Sequence, residues 1–152
     1  MKRILILFFL INLTVCFAQN EESNVVGAWK IISANSGDLY LNIKTDSISI
    51  SKEFKEIFND SLELSHVINV AKMTYDDNVM EFNDSGIYTQ KIDSELIIKV
   101  SYKLKPSVGK INVLLKDHVN WEIDYKFINK QLHLTTTLYG KKSELVLKKV
   151  EK

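Results

Sequence analysis

From residue 79 onward the chain alternates apolar and polar side chains with a period of two. Successive strand residues point to opposite faces, so such a run predicts a half-buried β-strand. The clearest case is Trp121, Ile123, Tyr125 and Phe127 set against Glu122, Asp124 and Lys126. Leu96, Ile98, Val100, Tyr102 and Leu104 predict another inward face, and Ile97, Lys99, Ser101, Lys103 and Lys105 its polar back. Further strands are expected over residues 79–83 and 87–92, around Ile111, Val113 and Leu115, through Leu132, Leu134, Thr136 and Leu138, and over 145–150. Turns fall at Asp84-Ser85-Gly86, at Pro106 to Gly109, at residues 117–120 and at Ile128-Asn129-Lys130. These are the residue types that tolerate tight backbone geometry. Upstream, residues 25–33 form the first ordered element. Leu39, Leu41 and Ile43 share one face of a second, which residues 47–50 are expected to prolong after a kink near Thr45-Asp46.

Between these strands the period changes. Phe54, Ile57 and Phe58 lie at helical spacing, and Asn59-Asp60 breaks the pattern. Asp60 followed by Glu63 reads as a capping box. Leu64, Val67, Ile68, Ala71 and Tyr75 then form one apolar stripe, which predicts a helix from about Ser61 to Met73. A helical insertion over about 52–75 therefore interrupts an otherwise β chain.

The N-terminus has a different character. Lys2 and Arg3 precede a nearly unbroken apolar run over residues 4–15, and Cys16-Phe17-Ala18 ends it. That order is expected of a secretory signal peptide over 1–18, cut after Ala18. The run is too short for the roughly 20 residues of a spanning helix. Leu13-Thr14-Val15-Cys16 resembles a lipobox, but Val15 is bulkier than the small residue such a box places before its Cys. The expected product is exported, periplasmic or secreted, with lipid anchoring through Cys16 as the less favoured route. Residues 19–24 would be a flexible lead-in, and 25–150 one domain.

Removing the leader leaves 18 Lys, 19 acidic residues and no Arg, a net charge of about −1. Without Arg or a basic surplus the chain lacks the usual equipment for phosphate and base edges, so no nucleic-acid partner is expected. It also lacks Cys, which removes disulfides, thiolate nucleophiles and thiolate metal sites. Its core must hold without staples.

Gly27-Ala28-Trp29, followed by Lys30-Ile31-Ile32, resembles the Gly-x-Trp opening of lipocalins, and more closely the start of bacterial lipocalin-like domains. Phe82 to Tyr88 looks like that family's Asp-Gly hairpin with Ser85 inserted. Ser101-Tyr102-Lys103-Leu104 looks like one of its strands without the usual Gly, and residues 145–150 like its closing strand. The opening, with a leader ending in Phe-Ala-Gln, looks like exported Bacteroidota proteins. The resemblance implies an all-β, mainly antiparallel lipocalin-like barrel of about eight to nine strands, with the helical insertion after the second strand. It gives Gly27 and Trp29 structural roles, and it implies a non-enzymatic binding module for a small apolar or amphipathic ligand.

Few residues suggest other chemistry. His66, His118 and His133 have no metal-binding spacing, so no metal or other cofactor is expected. Asp117-His118 has no positioned nucleophile beside it and no Gly-x-Ser-x-Gly elbow. Glu53 and Glu56 read as helix-surface acids, and Asp76-Asp77 as a helix end rather than a calcium loop. Tyr102, Trp121, Tyr125 and Phe127 point inward and are the expected ligand-binding set, because tyrosine offers an apolar body with a hydrogen-bonding tip. The alternative is that they only fill the barrel of a monomeric structural or protein-interaction module. Tyr40, Ile97 and Val146 are apolar residues on polar strand faces and would serve a contact patch or pack under the insertion.

Overall fold

The computed structural model describes residues 24–58, 60–115, 120–138 and 140–151. The expected leader, Cys16, Asp117 and His118 lie outside the described residues. Ten strands form one antiparallel sheet: β1 Gly27–Asn35, β2 Leu39–Asn42, β3 Ser47–Ile50, β4 Asn78–Phe82, β5 Ile87–Ile92, β6 Glu95–Lys105, β7 Lys110–Leu114, β8 Asn120–Ile128, β9 Gln131–Leu138 and β10 Lys141–Lys149. Helices α1 (Lys52–Glu56) and α2 (Ser61–Asp76) lie between β3 and β4. Strands β4 to β10 pair in sequence order, and β10 pairs back onto β1. Eight strands thus close into a barrel, which removes the exposed edges an open sheet would carry.

Strand β1 makes the join. Its first half, Gly27 to Lys30, pairs with β4, and its second half, Ser33 to Asn35, pairs with β2. A register shift between Ile31 and Ser33 bends the strand at this change of partner. The β2–β3 hairpin therefore leaves the barrel as a flap, a correction to one kinked strand over these residues. Asp46 adopts φ 49° in the turn, so residues 47–50 return antiparallel to β2 instead of prolonging it. The helical insertion consequently follows the third strand rather than the second.

One of the two bonds of the expected capping box is present at the start of α2. Asp60 Oδ1 accepts the Glu63 backbone N–H at 2.7 Å, satisfying one of the free donors of the first turn. The predicted stripe from Leu64 to Tyr75 is half-buried, with Tyr75 packed on the core, and α2 lies against β1. Lys72 binds Asp46 of the flap at 2.6 Å, and Asp93 N–H donates to Asp77 O at 3.3 Å. The helix is thereby fixed to one rim of the barrel.

Two hairpins use positive φ at both central residues, Asp93-Ser94 and Asn129-Lys130, the backbone that matches the right-handed twist of paired strands. A bulge interrupts β6. Lys91 pairs with Leu96 and Gln90 with Ile98, which leaves Ile97 unpaired. An extra residue reverses the alternation beyond it. Leu96 therefore turns outward and is 53% exposed, not inward as the simple period predicts.

Candidate functional site

The two ends of the barrel are built differently. The base is the end that carries the turns 83–86, 106–109 and 129–130. Trp29, Phe82, Tyr88, Tyr102, Ile111, Tyr125, Leu132 and Leu147 form one buried cluster towards it. Trp29 donates its indole N–H to Val25 O at 2.8 Å, and the Lys149 ammonium lies 5.3 Å from its ring centre. Gly27 has φ 139°, and a Cβ there would meet the Lys149 side chain at 2.7 Å. The Gly-Ala-Trp signature is thus a structural plug. Gly27 lets the chain turn beside Lys149, and Trp29 closes the floor.

The other end is looser. Inward residues of β5 to β10 lose burial as they approach it. On β6, Tyr102 is buried but Val100 and Ile98 are only half-buried. On β10, Leu147 is buried but Leu145 and Ser143 are half-buried. On β8 and β9, Ile123 and Leu134 are buried, while Trp121 and Thr136 are half-buried. Inward side chains that remain accessible mark a mouth. The β1–β4 side of that mouth is covered by α2, and there Asn78 and Met80 are fully buried. Asp38 ties the remaining rim together: it pairs with Lys141 of β10, and its carbonyl accepts Ser51 N–H at 2.8 Å.

The four expected ligand residues are spread along this axis. Trp121 stands at the mouth, its ring N–H given to Thr136 Oγ1 at 2.8 Å. Tyr125 and Phe127 lie lower on the same strand, with ring centres 6.2 Å apart, and Phe127 continues to Trp29 at 6.1 Å. Tyr102 belongs to the base. Its hydroxyl donates to Asn83 O at 2.7 Å, and its ring meets Phe82 edge-on at 5.2 Å. Tyr125 and Phe127 come together, but Tyr102 and Trp121 serve opposite ends.

The sequence reading missed two polar residues on the inner face. Gln90 Oε1 accepts the Tyr88 hydroxyl at 3.0 Å, and burial pushes the Tyr88 phenol above its ordinary range. Asn78 is 2% exposed, and its Oδ1 has no hydrogen-bond partner. Running the Met80–Phe82 alternation two residues back would have placed Asn78 inward; its position after Asp76-Asp77 disguised it as loop.

Elsewhere the expected chemistry stays dispersed. His66 is exposed on α2. His133 lies on the outer face of β9, where desolvation, helped by Lys126, holds its pKa below the usual imidazole value. Among the described residues no three His, Cys, Asp or Glu are grouped to hold a metal. No described helix is long and apolar enough to cross a membrane. Glu53 and Glu56 are exposed on α1. Asp76 and Asp77 edge a cleft of about 250 Å³ between α2 and the flap, with Leu41, Ile43 and Met73 on its apolar side. Tyr40 and Ile97 are exposed, but β4 and β5 separate β6 from β1, so the three outward apolar residues do not form one patch.

These features define a closed antiparallel eight-stranded barrel, sealed at one end and carrying a hairpin flap and a helix at the other. The chain is similar in fold to a solved DUF4847 family protein from Bacteroides vulgatus. The TM-score is 0.53 at 13% identity, covering 87% of this chain and 98% of that one. At that identity the likeness concerns the fold alone. No family model matches the sequence, and no curated protein matches it.

Proposed function

We propose that this protein is an exported, lipocalin-like carrier that holds a small apolar molecule in the mouth half of its barrel. The observation that carries this reading is the accessibility of the inward side chains of β6, β8 and β10 near the mouth. Val100, Ile98, Trp121 and Leu145 point inward yet stay accessible, above a floor sealed by Trp29 and Phe82. An eight-stranded barrel is just wide enough to be filled or to hold one small ligand. Trp121 would form the wall, Tyr125 the lower limit, and Tyr102 and Phe127 would support it from the base. No residue is assigned a catalytic role, and the working unit is taken as a monomer.

The test is a titration of the purified protein with Nile red, a neutral apolar dye. Saturable binding that is weakened by Trp121→Ala is expected, together with an apolar compound detected by mass spectrometry of extracts from the native protein. Absence of both would overturn the reading. A second reading, a protein-contact module of the cell envelope, is favoured by two exposed apolar residues of α2, Leu62 and Met73, which are 79% and 69% exposed. It expects Leu62→Lys with Met73→Lys to abolish a native complex while dye binding is unaffected.

A further inference from the structure

The inner wall is uncharged. Pairing registers assign the inward positions: Trp29, Ile31 and Ala34 on β1, Asn78, Met80 and Phe82 on β4, Tyr88 and Gln90 on β5, and the matching positions through β10. Between floor and rim none of the described inward positions is Asp, Glu, Lys or His. The charges that share this register stand at the ends. Lys149 lies under Trp29 at the base, and Lys141 is exposed at the rim and paired with Asp38. Glu95 is likewise exposed at its hairpin. An ionised group drawn into such a wall loses its hydration and meets no opposite charge among the described inward positions.

Some polar atoms of the wall are already paired. The Trp121 N–H is committed to Thr136, and the Tyr88 hydroxyl to Gln90. Asn78 Oδ1 remains a buried acceptor that no donor among the described residues reaches. Such an atom carries a desolvation penalty, which an arriving donor relieves. Asn78 pairs across the sheet with Ile92 and lies two residues from Met80, the partner of Gln90. It therefore borders the half-buried part of the wall.

Building on the carrier reading, we propose that the barrel selects an uncharged apolar molecule bearing one hydrogen-bond donor, such as an alcohol, with the donor directed at Asn78 Oδ1. Chain-matched anions are rejected because nothing inside compensates a carboxylate. Apolar molecules without a donor bind but leave the Asn78 acceptor bare.

The test is competition against Nile red on the purified protein at pH 8, with 1-decanol and decanoate as probes. Decanol is expected to displace the dye at a concentration at least about ten-fold lower than decanoate. Asn78→Leu is expected to weaken decanol by roughly 3- to 10-fold, the worth of one hydrogen bond, and to leave the dye within about two-fold. If Asn78→Leu folds poorly, Asn78→Ser, whose hydroxyl is too short to reach the same point, carries the same expectation. Decanoate binding as well as decanol, or an Asn78 variant that weakens dye and alcohol alike, overturns the selectivity proposal but leaves the carrier standing. Failure of Nile red to bind, with no apolar compound in extracts of the native protein, removes the carrier, and the selectivity with it.

Discussion

The base and the mouth of this barrel are made from the same strands but serve opposite ends. At the base, large side chains interlock: Phe82 meets Tyr88 at 5.0 Å and Tyr102 at 5.2 Å, and Trp29 closes the floor. At the mouth, Ile98, Val100, Leu145 and Thr136 are smaller inward side chains beside Trp121, and all of them are half-buried. An external helix, not the barrel's own side chains, covers part of it. The base is thus the tightly interlocked end, and the mouth the more accessible one. A closed eight-stranded wall has roughly one diameter along its length, so the size of the inward side chains decides which part is solid.

The largest expected effect separates the two ends directly. Trp29→Ala at the base should cost about 3–5 kcal/mol in denaturant unfolding, since it empties a fully buried site and strands the Val25 carbonyl. Trp121→Ala at the mouth should cost clearly less and should instead weaken dye binding. Equal stability losses for both would erase the distinction drawn between the ends.

A smaller effect is expected at the cap of the covering helix. Asp60→Ala removes the acceptor for Glu63 N–H and should cost about 1 kcal/mol. Hydrogen exchange should then rise in α2 and not in β7 to β10. Uniform loosening of the whole barrel would mean that α2 is part of the core rather than a cover over the mouth.

The smallest effect is a pH dependence on the outer wall. His133 Nε2 is buried without a hydrogen-bond partner, and its pKa is held below 6.5 chiefly by desolvation. The unfolded chain then takes up its proton first as the solution is acidified. Stability is therefore full above pH 6.5 and declines as pH falls through that value towards the lower folded-state pKa. Glu144 adds a loss at still lower pH, because its hydrogen bond from Lys142 keeps its carboxyl below the usual range. His133→Gln should flatten the first decline. A decline unchanged by that substitution would assign it to another group.

Much of the barrel was legible in the residues, and particular elements show why. The alternation placed β5 at 87–92, where it is found, and put Trp121 to Phe127 on one inner face. The cap at Asp60 was readable because capping is local, involving one side chain and an N–H three residues away. The bulge at Ile97 was not, because Leu96 to Leu104 looks like an unbroken alternation. Only pairing with β5 reveals the extra residue. The flap was hidden for a similar reason: Leu39 to Ile43 and Ile48 to Ile50 alternate on either side of the polar run at 44–47, which reads equally as a kink in one strand or as a turn between two.

The candidate site divides along the same line. Sequence marked four inward aromatic residues correctly as to face, since facing follows from strand parity. It could not tell which stood at the floor and which at the rim, and it overlooked Asn78. Strand tilt and register set height in a barrel, and both arise from pairings between residues distant in the chain. What the sequence determined was therefore everything governed by near neighbours: strand, helix, cap, turn and inward face. The tertiary structure decided what depends on closure: which strands meet, which end is sealed, where the helix lies and which polar atom is left inside without a partner.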